Sequence, residues 1–236
     1  MVNYFVKVDH LTKHLGHKKV LEDVSFQIKN KSIVGFLGPN GAGKTTTLKH
    51  LVKLYKPDSG QINFVTSPSA KKQVGAIIET PAFYESLSGL DNLKIFARMS
   101  GKVDHHHLKQ LVGLVDLNEV MGKKVKTYSL GMKQRLGIAQ ALYKSPQLLV
   151  LDEPFNGLDP HGIEKIILIL KDIVKESEIS VLISSHNLYD LSKFCNEVII
   201  INKGTIVETV NLDQKQTMNL EELYFSVIGG EGHAIS

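Results

Sequence analysis

The stretch SIVGFLGPNGAGKTTTLKHLVK, Ser32 to Lys53, governs how the rest of the sequence is read. Ser32 to Gly38 is a short apolar run closed by glycine, the pattern of a strand buried on both faces. A helix is predicted from Gly43 through about Lys53. Between them GPNGAGKTT, Gly38 to Thr46, fits the phosphate-loop pattern G-x-x-x-x-G-K-[ST], with the strand before it and the helix after it that the pattern requires. In such a loop, here Gly38, Pro39, Asn40, Gly41, Ala42 and Gly43, the glycines let backbone N–H groups close around phosphates, and the helix N-terminus adds its positive end. Lys44 then neutralises the β- and γ-phosphates, Thr45 offers its hydroxyl to Mg²⁺, and Thr46 completes the phosphate-binding run. The four-position pattern arises by chance in roughly one chain in a hundred of this size. Correct flanking elements therefore point to nucleoside triphosphate binding rather than a plain glycine turn.

LLVLDEP, Leu148 to Pro154, is four apolar residues ending in two acids. A buried strand here delivers Asp152 to the carboxyl end of a sheet, where α/β sites form and where Mg²⁺ is held. Glu153, next to it, is the natural group to deprotonate an attacking water. Alone, an acidic strand end is an ordinary turn signal; beside a phosphate loop it becomes a metal and base site.

A third acid closes AIIETPAFY, Ala76 to Tyr84. Pro81 cannot continue a ladder and biases Thr80 toward extended geometry, so the strand stops near Glu79. Glu79 is either a solvated strand end or an acid aimed into the site.

Around these motifs the chain changes character twice. NYFVKV and VLEDVSFQI alternate as an antiparallel sheet with one wet face. From about residue 85 to 144, segments such as GLDNLKIFARM and SLGMKQRLGIAQALY have helical spacing and almost no strand signal. Strands and helices then alternate through VLISS, GIEKIILILKDIVKES and NEVIII, the signature of βα units around a mostly parallel sheet. The fold expected is α/β, with a mostly parallel core sheet, an antiparallel β subdomain and an inserted α-helical subdomain. Residues 1–84 and 145–236 form the core in this scheme, within one domain spanning 1–236.

Composition sets the class. The chain has 236 residues, is 42% hydrophobic and 22% charged, and carries a net charge of +4. That is ordinary globular composition, with dispersed charge and no basic run interleaved with aromatics, so nucleic acid is not an expected partner. No stretch approaches the ~20 apolar residues of a membrane span. The N-terminus shows no basic-then-apolar leader, so the protein is expected in the cytosol or on its membrane face. The single cysteine, Cys195, excludes an internal disulfide framework and reads as a packed thiol. His105, His106 and His107 follow a capping Asp104, and consecutive helical residues diverge, so they read as a solvated helix start rather than a metal site.

Phosphate loop, YSLGMKQRLGIAQAL from Tyr128, acidic strand, NGLD (Asn156 to Asp159) and SSH ending at His186 stand in the order of the ATP-binding cassette (ABC) ATPases, which the whole chain resembles. The resemblance implies a P-loop NTPase fold of ABC type that binds ATP and Mg²⁺. Two copies would pack head to tail, each phosphate loop facing the other copy's signature helix. Ser129 and Gly131 would then meet the partner's γ-phosphate, and Asp159 would couple the two sites. Catalysis would fall to Glu153 as general base and His186 as a γ-phosphate contact, with Thr45, Asp152 and Glu79 around the metal. The further partners implied are separate transmembrane permease subunits, with the cassette peripheral on the cytoplasmic face of the membrane.

Departures from the family narrow the reading. The usual Leu-Ser-Gly-Gly-Gln is here Tyr128-Ser129-Leu130-Gly131-Met132, keeping the two phosphate-contacting residues. Phe155 replaces a common threonine, which reads as local packing. The aromatic that stacks on adenine falls near Leu15, leaving Leu15, His14 and His17 as candidates. Glu79 stands where a glutamine is usual. ETPAFYESLSGLDNL, EPFNGLDP and LEELYFSVIGG resemble cassettes of exporters that expel bacitracin-like and lantibiotic peptides. An exporter ATPase is therefore expected, with an importer subunit or a soluble cassette acting on nucleic acid or the ribosome as the alternatives.

Overall fold

A computed structural model describes residues 4–65, 74–213, 224 and 226, so most of LEELYFSVIGG lies outside the described residues. Strands β1 (Tyr4–Leu15), β2 (Lys18–Lys29) and β4 (Ser59–Phe64) form an antiparallel sheet in the order β2-β1-β4. The core sheet runs β5-β6-β7-β3-β8-β9, built from β3 (Ile33–Leu37), β5 (Val74–Ile77), β6 (Leu148–Leu151), β7 (Ser180–Ser185), β8 (Glu197–Asn202) and β9 (Thr205–Asn211). All its pairs are parallel except β8 with β9. The chain thus has the predicted α/β architecture.

Both faces of the core sheet are covered, and the two-residue period of its strands sorts side chains between them. Val34 and Phe36, Leu148 and Val150, Leu182, Ile199 and Ile201 pack toward β1, β2 and helix α1 (Lys44–Leu51). Their neighbours Ile33 and Leu37, Leu149 and Leu151, Val181 and Ile183, Val198 and Ile200 pack toward the helical side. That side holds α2 (Gly89–Met99), α3 (His105–Leu114), α4 (Leu130–Leu142), α5 (Pro160–Glu176) and α6 (Leu188–Ser192). Continuous apolar runs such as LLVL are what a strand buried on both faces demands. Cys195 is buried beside Gly35, and burial pushes its thiol well above the ordinary range. Phe155 is buried edge-to-face against Phe194, at 5.9 Å between centroids, as its packing role requires.

Two readings need adjustment. NYFVKV predicts a strand ending at Val8, but β1 continues to Leu15 through irregular register, with His10 in the left-handed region at φ 53°. Such an irregularity breaks the alternation from which strands are read. His107 is not merely solvated. Asp104 caps α3 by accepting from its N–H at 3.0 Å, and the ring lies on Tyr143, with Nε2 3.0 Å from the Tyr143 carbonyl oxygen.

Candidate active site

The phosphate loop is shaped by two glycines. A Cβ at Gly38 would lie 2.2 Å from the Ile201 carbonyl oxygen, and one at Gly43 would lie 2.6 Å from Leu21 Cδ2. Gly43 also has φ 108°, where side chains are strained. The turn therefore closes tightly against β8 and β2 and leads into α1 at Lys44. Lys44 is buried, with Nζ donating to the carbonyls of Gly38 (2.6 Å) and Pro39 (3.2 Å).

The end of β6 meets this loop. Thr45 Oγ1 donates to Asp152 Oδ2 at 2.8 Å, and Ser184 Oγ on β7 donates to Asp152 Oδ1 at 2.7 Å. The same Ser184 hydroxyl accepts the Glu153 N–H at 2.8 Å. Glu153 has φ 47°, a left-handed backbone that is rare for a residue with a side chain. Its carboxylate lies between two nitrogens: His186 Nδ1 donates to Oε2 at 3.0 Å, and Lys44 Nζ lies 3.1 Å from Oε1. The second contact is an ion pair without hydrogen-bond alignment, since Oε1 is buried and otherwise unpartnered. The structure thus brings Lys44, Thr45, Asp152, Glu153 and His186 together from three separate segments.

This arrangement fits a magnesium nucleotide. The loop is a glycine cradle with a buried cation. Thr45 and Asp152 supply one hydroxyl and one carboxylate, the small donor set of an ion otherwise surrounded by phosphate oxygens and water. Among the described residues no group of three or more His, Cys, Asp or Glu converges on a metal position.

Glu79 is placed differently. It lines one cavity with Thr45, Asp152 and Glu153, but its carboxylate bonds Lys49 Nζ on α1 at 2.8 Å rather than joining the Thr45–Asp152 pair. Its side chain is 67% exposed, and the ion pair holds its carboxyl below the usual range. Its backbone is left-handed, at φ 64°.

Ser129, Gly131 and Asp159 are not brought to the phosphate loop of the same chain. They line a separate depression between the starts of α4 and α5. Ser129 caps α4 by accepting the Met132 N–H at 3.2 Å, and Asp159 caps α5 by accepting the Gly162 N–H at 2.9 Å. The unusual signature residues have local reasons. Tyr128 is buried over Gly89 and donates its hydroxyl to the Val120 carbonyl at 2.7 Å. Leu130 packs on Gly157 of the NGLD segment.

Of the three candidates beside the loop, Leu15 lines a shallow pocket with Asn40, Gly41, Lys44 and Thr46. His14 is engaged elsewhere, its N–H and Nδ1 at 2.6 and 3.1 Å from Asp58 Oδ2. His17 is exposed at the β1–β2 turn. Sequence reasoning missed Ser184, whose only signal is that it is one of two serines closing the apolar run VLI of β7.

Comparison with known proteins agrees with this geometry. The ABC transporter family profile matches residues 21–156, and a profile described as an AAA domain, putative AbiEii toxin of a type IV toxin–antitoxin system, matches residues 124–192. The bacitracin transport ATP-binding protein BcrA of Bacillus licheniformis is 39% identical over 228 residues, covering 94% of this chain and 74% of that protein. The lantibiotic transport ATP-binding protein SrtF of Streptococcus pyogenes is 38% identical over 222 residues, covering 93% and 95%. Among solved structures, CbiO1 of Clostridium perfringens, part of the transporter complex CbiONQ, has a TM-score of 0.81 at 25% identity over 90% of each chain. A dimer of the cassette MJ0796 bound to ADP and phosphate has a TM-score of 0.76 at 23% identity, covering 88% of this chain and 98% of that one, and so shares the fold.

Proposed function

This chain belongs to the ABC transporter ATP-binding family and is an ATPase, and from that premise we propose that it powers a bacterial exporter of peptide antibiotics or similar amphipathic compounds. The observation that carries the catalytic part is the convergence of Lys44, Thr45, Asp152, Glu153 and His186 in one cleft. The names of the bacitracin and lantibiotic relatives support the cargo class.

In this reading Lys44 and the loop amides bind the triphosphate. Thr45 and Asp152 would hold Mg²⁺ on the protein side, and the ion would supply charge neutralisation to the phosphates. Glu153 accepts a proton from the attacking water, with His186 fixing the direction of its carboxylate. The separation of Ser129, Gly131 and Asp159 from their own phosphate loop supports a head-to-tail dimer in which they serve the partner's nucleotide. No helix among the described residues is long and apolar enough to cross a membrane. Separate permease subunits then supply the membrane path, with this chain at their cytoplasmic face. Glu79, exposed and paired with Lys49, is assigned to coupling with the permease rather than to the metal.

The test is to express the chain with a neighbouring permease in a strain sensitive to bacitracin and lantibiotics. Raised resistance that disappears in the Glu153→Gln strain is the expected result. No change in resistance, with ATPase activity intact in the purified protein, would remove the cargo assignment and leave the enzyme.

A further inference from the structure

We propose that Ser184 is a positioning residue that sets both active-site acids, and in particular decides which oxygen of Asp152 is offered to Mg²⁺. The inference rests on the reading of Asp152 as the metal carboxylate.

Ser184 lies in β7 with no exposure to solvent, and its neighbours Ile183 and Leu182 are likewise buried. Its hydroxyl faces the end of β6, the adjacent parallel strand. A hydroxyl donates once and accepts through its lone pairs, and here both capacities go to the two acids. The O–H donates to Asp152 Oδ1 at 2.7 Å, and the oxygen accepts the Glu153 N–H at 2.8 Å. With Oδ1 taken, Oδ2 is the oxygen turned toward Thr45 Oγ1, 2.8 Å away. The Asp152 side chain is thereby fixed about its Cβ–Cγ bond, with one oxygen on the strand side and the other on the phosphate-loop side.

The second bond acts on Glu153. Its backbone sits at φ 47°, a conformation that needs support from its surroundings when the residue is not glycine. The Ser184 oxygen receives the Glu153 amide in that geometry, and the side chain then reaches Lys44 and His186. Alanine at 184 removes both bonds at once. It leaves a part-buried N–H without this partner and the Asp152 carboxylate free to rotate. Removing a hydrogen bond to a charged group is felt at about tenfold or more in an equilibrium constant.

Binding of the fluorescent nucleotide mant-ATP, with Mg²⁺ and with EDTA, separates this role from a purely structural one. Ser184→Ala and Ser184→Val are expected to bind in EDTA within about twofold of the unmutated chain, because the phosphate loop is intact. In Mg²⁺ both lose most of the metal-dependent gain, about tenfold in affinity, and the Mg²⁺ concentration for half-maximal hydrolysis rises by a similar factor. Ser184→Thr, which keeps the hydroxyl, retains the gain. Asp152→Asn is run beside them. If it also leaves the metal-dependent gain intact, the assignment of Asp152 fails, and this inference with it. If Asp152→Asn abolishes the gain while Ser184→Ala and Ser184→Val keep it, only the role of Ser184 is wrong. Loss of EDTA binding in parallel, or failure of both hydroxyl-free chains to fold by circular dichroism, shows that the hydroxyl serves the fold and overturns the proposal.

Discussion

His186 Nδ1 lies 3.0 Å from Glu153 Oε2, so an imidazole from the loop after β7 steadies the carboxylate that ends β6. The opposite oxygen faces Lys44 Nζ at 3.1 Å. A carboxylate held by two nitrogens has one orientation, which general-base catalysis needs. Glu153→Gln keeps the shape and removes the proposed base. Hydrolysis is expected to fall by ~10²–10⁴-fold while MgATP still binds. The variant accumulates as an ATP-bound dimer, visible by size-exclusion chromatography. Hydrolysis at the unmutated rate would assign the base elsewhere.

Ser129 and the phosphate loop line different pockets of one chain, and this separation predicts complementation between damaged copies. Ser129→Arg and Lys44→Ala chains are each expected to be inactive alone, since every composite site in either homodimer carries a lesion. In a mixed dimer both lesions fall in one site and the other is whole. Activity should return toward half the unmutated rate per mixed dimer. Mixed dimers isolated by two affinity tags and found inactive would count against shared sites acting independently.

Arg135 supplies a stability prediction. Its guanidinium, only 11% exposed, donates to the carbonyls of Val115 (2.7 Å) and Asp116 (2.6 Å) at the end of α3. A cation on the last carbonyls of a helix both satisfies them and meets the negative end of the helix dipole. Arg135→Ala is expected to cost ~2–3 kcal/mol, because two charge-assisted bonds, one to a buried and one to a part-buried acceptor, are lost. Arg135→Lys recovers part of this. Urea denaturation measures both, and an unchanged midpoint for the alanine variant would show that water replaces the bonds without cost.

Sequence legibility followed the range of the interaction. The strand–loop–helix at Ser32 to Lys53 reads from local pattern alone, and Lys44 and Thr45 sit where the motif puts them. The helices between Gly89 and Leu142 show their 3.6-residue spacing over enough turns to be seen. The five residues of α6 are too short for periodicity to register. Contacts between distant segments were invisible. Ser184 meets Asp152 only because β7 pairs with β6, and Lys49 meets Glu79 only because α1 passes the end of β5. Neither pairing leaves a mark in the spacing of the residues.

The Lys49–Glu79 pair frames the last prediction. A glutamine at this position offers a neutral amide, whereas a carboxylate is acceptor-only and carries charge. Here that charge is answered by Lys49 at 2.8 Å, outside the Thr45–Asp152 pair, so basal chemistry is not expected to depend on it. Lys49 holds the Glu79 carboxyl below its ordinary range. The pair is therefore present above the usual carboxylate range and is lost only as pH falls through the lowered value. Any change in transport near neutral pH must come from another group. Two residues on, Pro81 rests on α4, where a Cβ at Gly137 would come within 2.8 Å of it. A pull on the Glu79 turn would thus reach, through this contact, the helix that Ser129 caps. Exchange of Lys49 for a basic group on the permease would deliver that pull through a charge-assisted bond, about twice as strong as a neutral one. Glu79→Gln is expected to leave MgATP hydrolysis by the isolated subunit within a few-fold. Glu79→Ala should lower drug resistance in cells carrying the full transporter far more than it lowers that hydrolysis. The two measurements are made on the same variants. A parallel fall in both would return Glu79 to the metal site, and no change in either would leave it a solvated strand end held by Lys49.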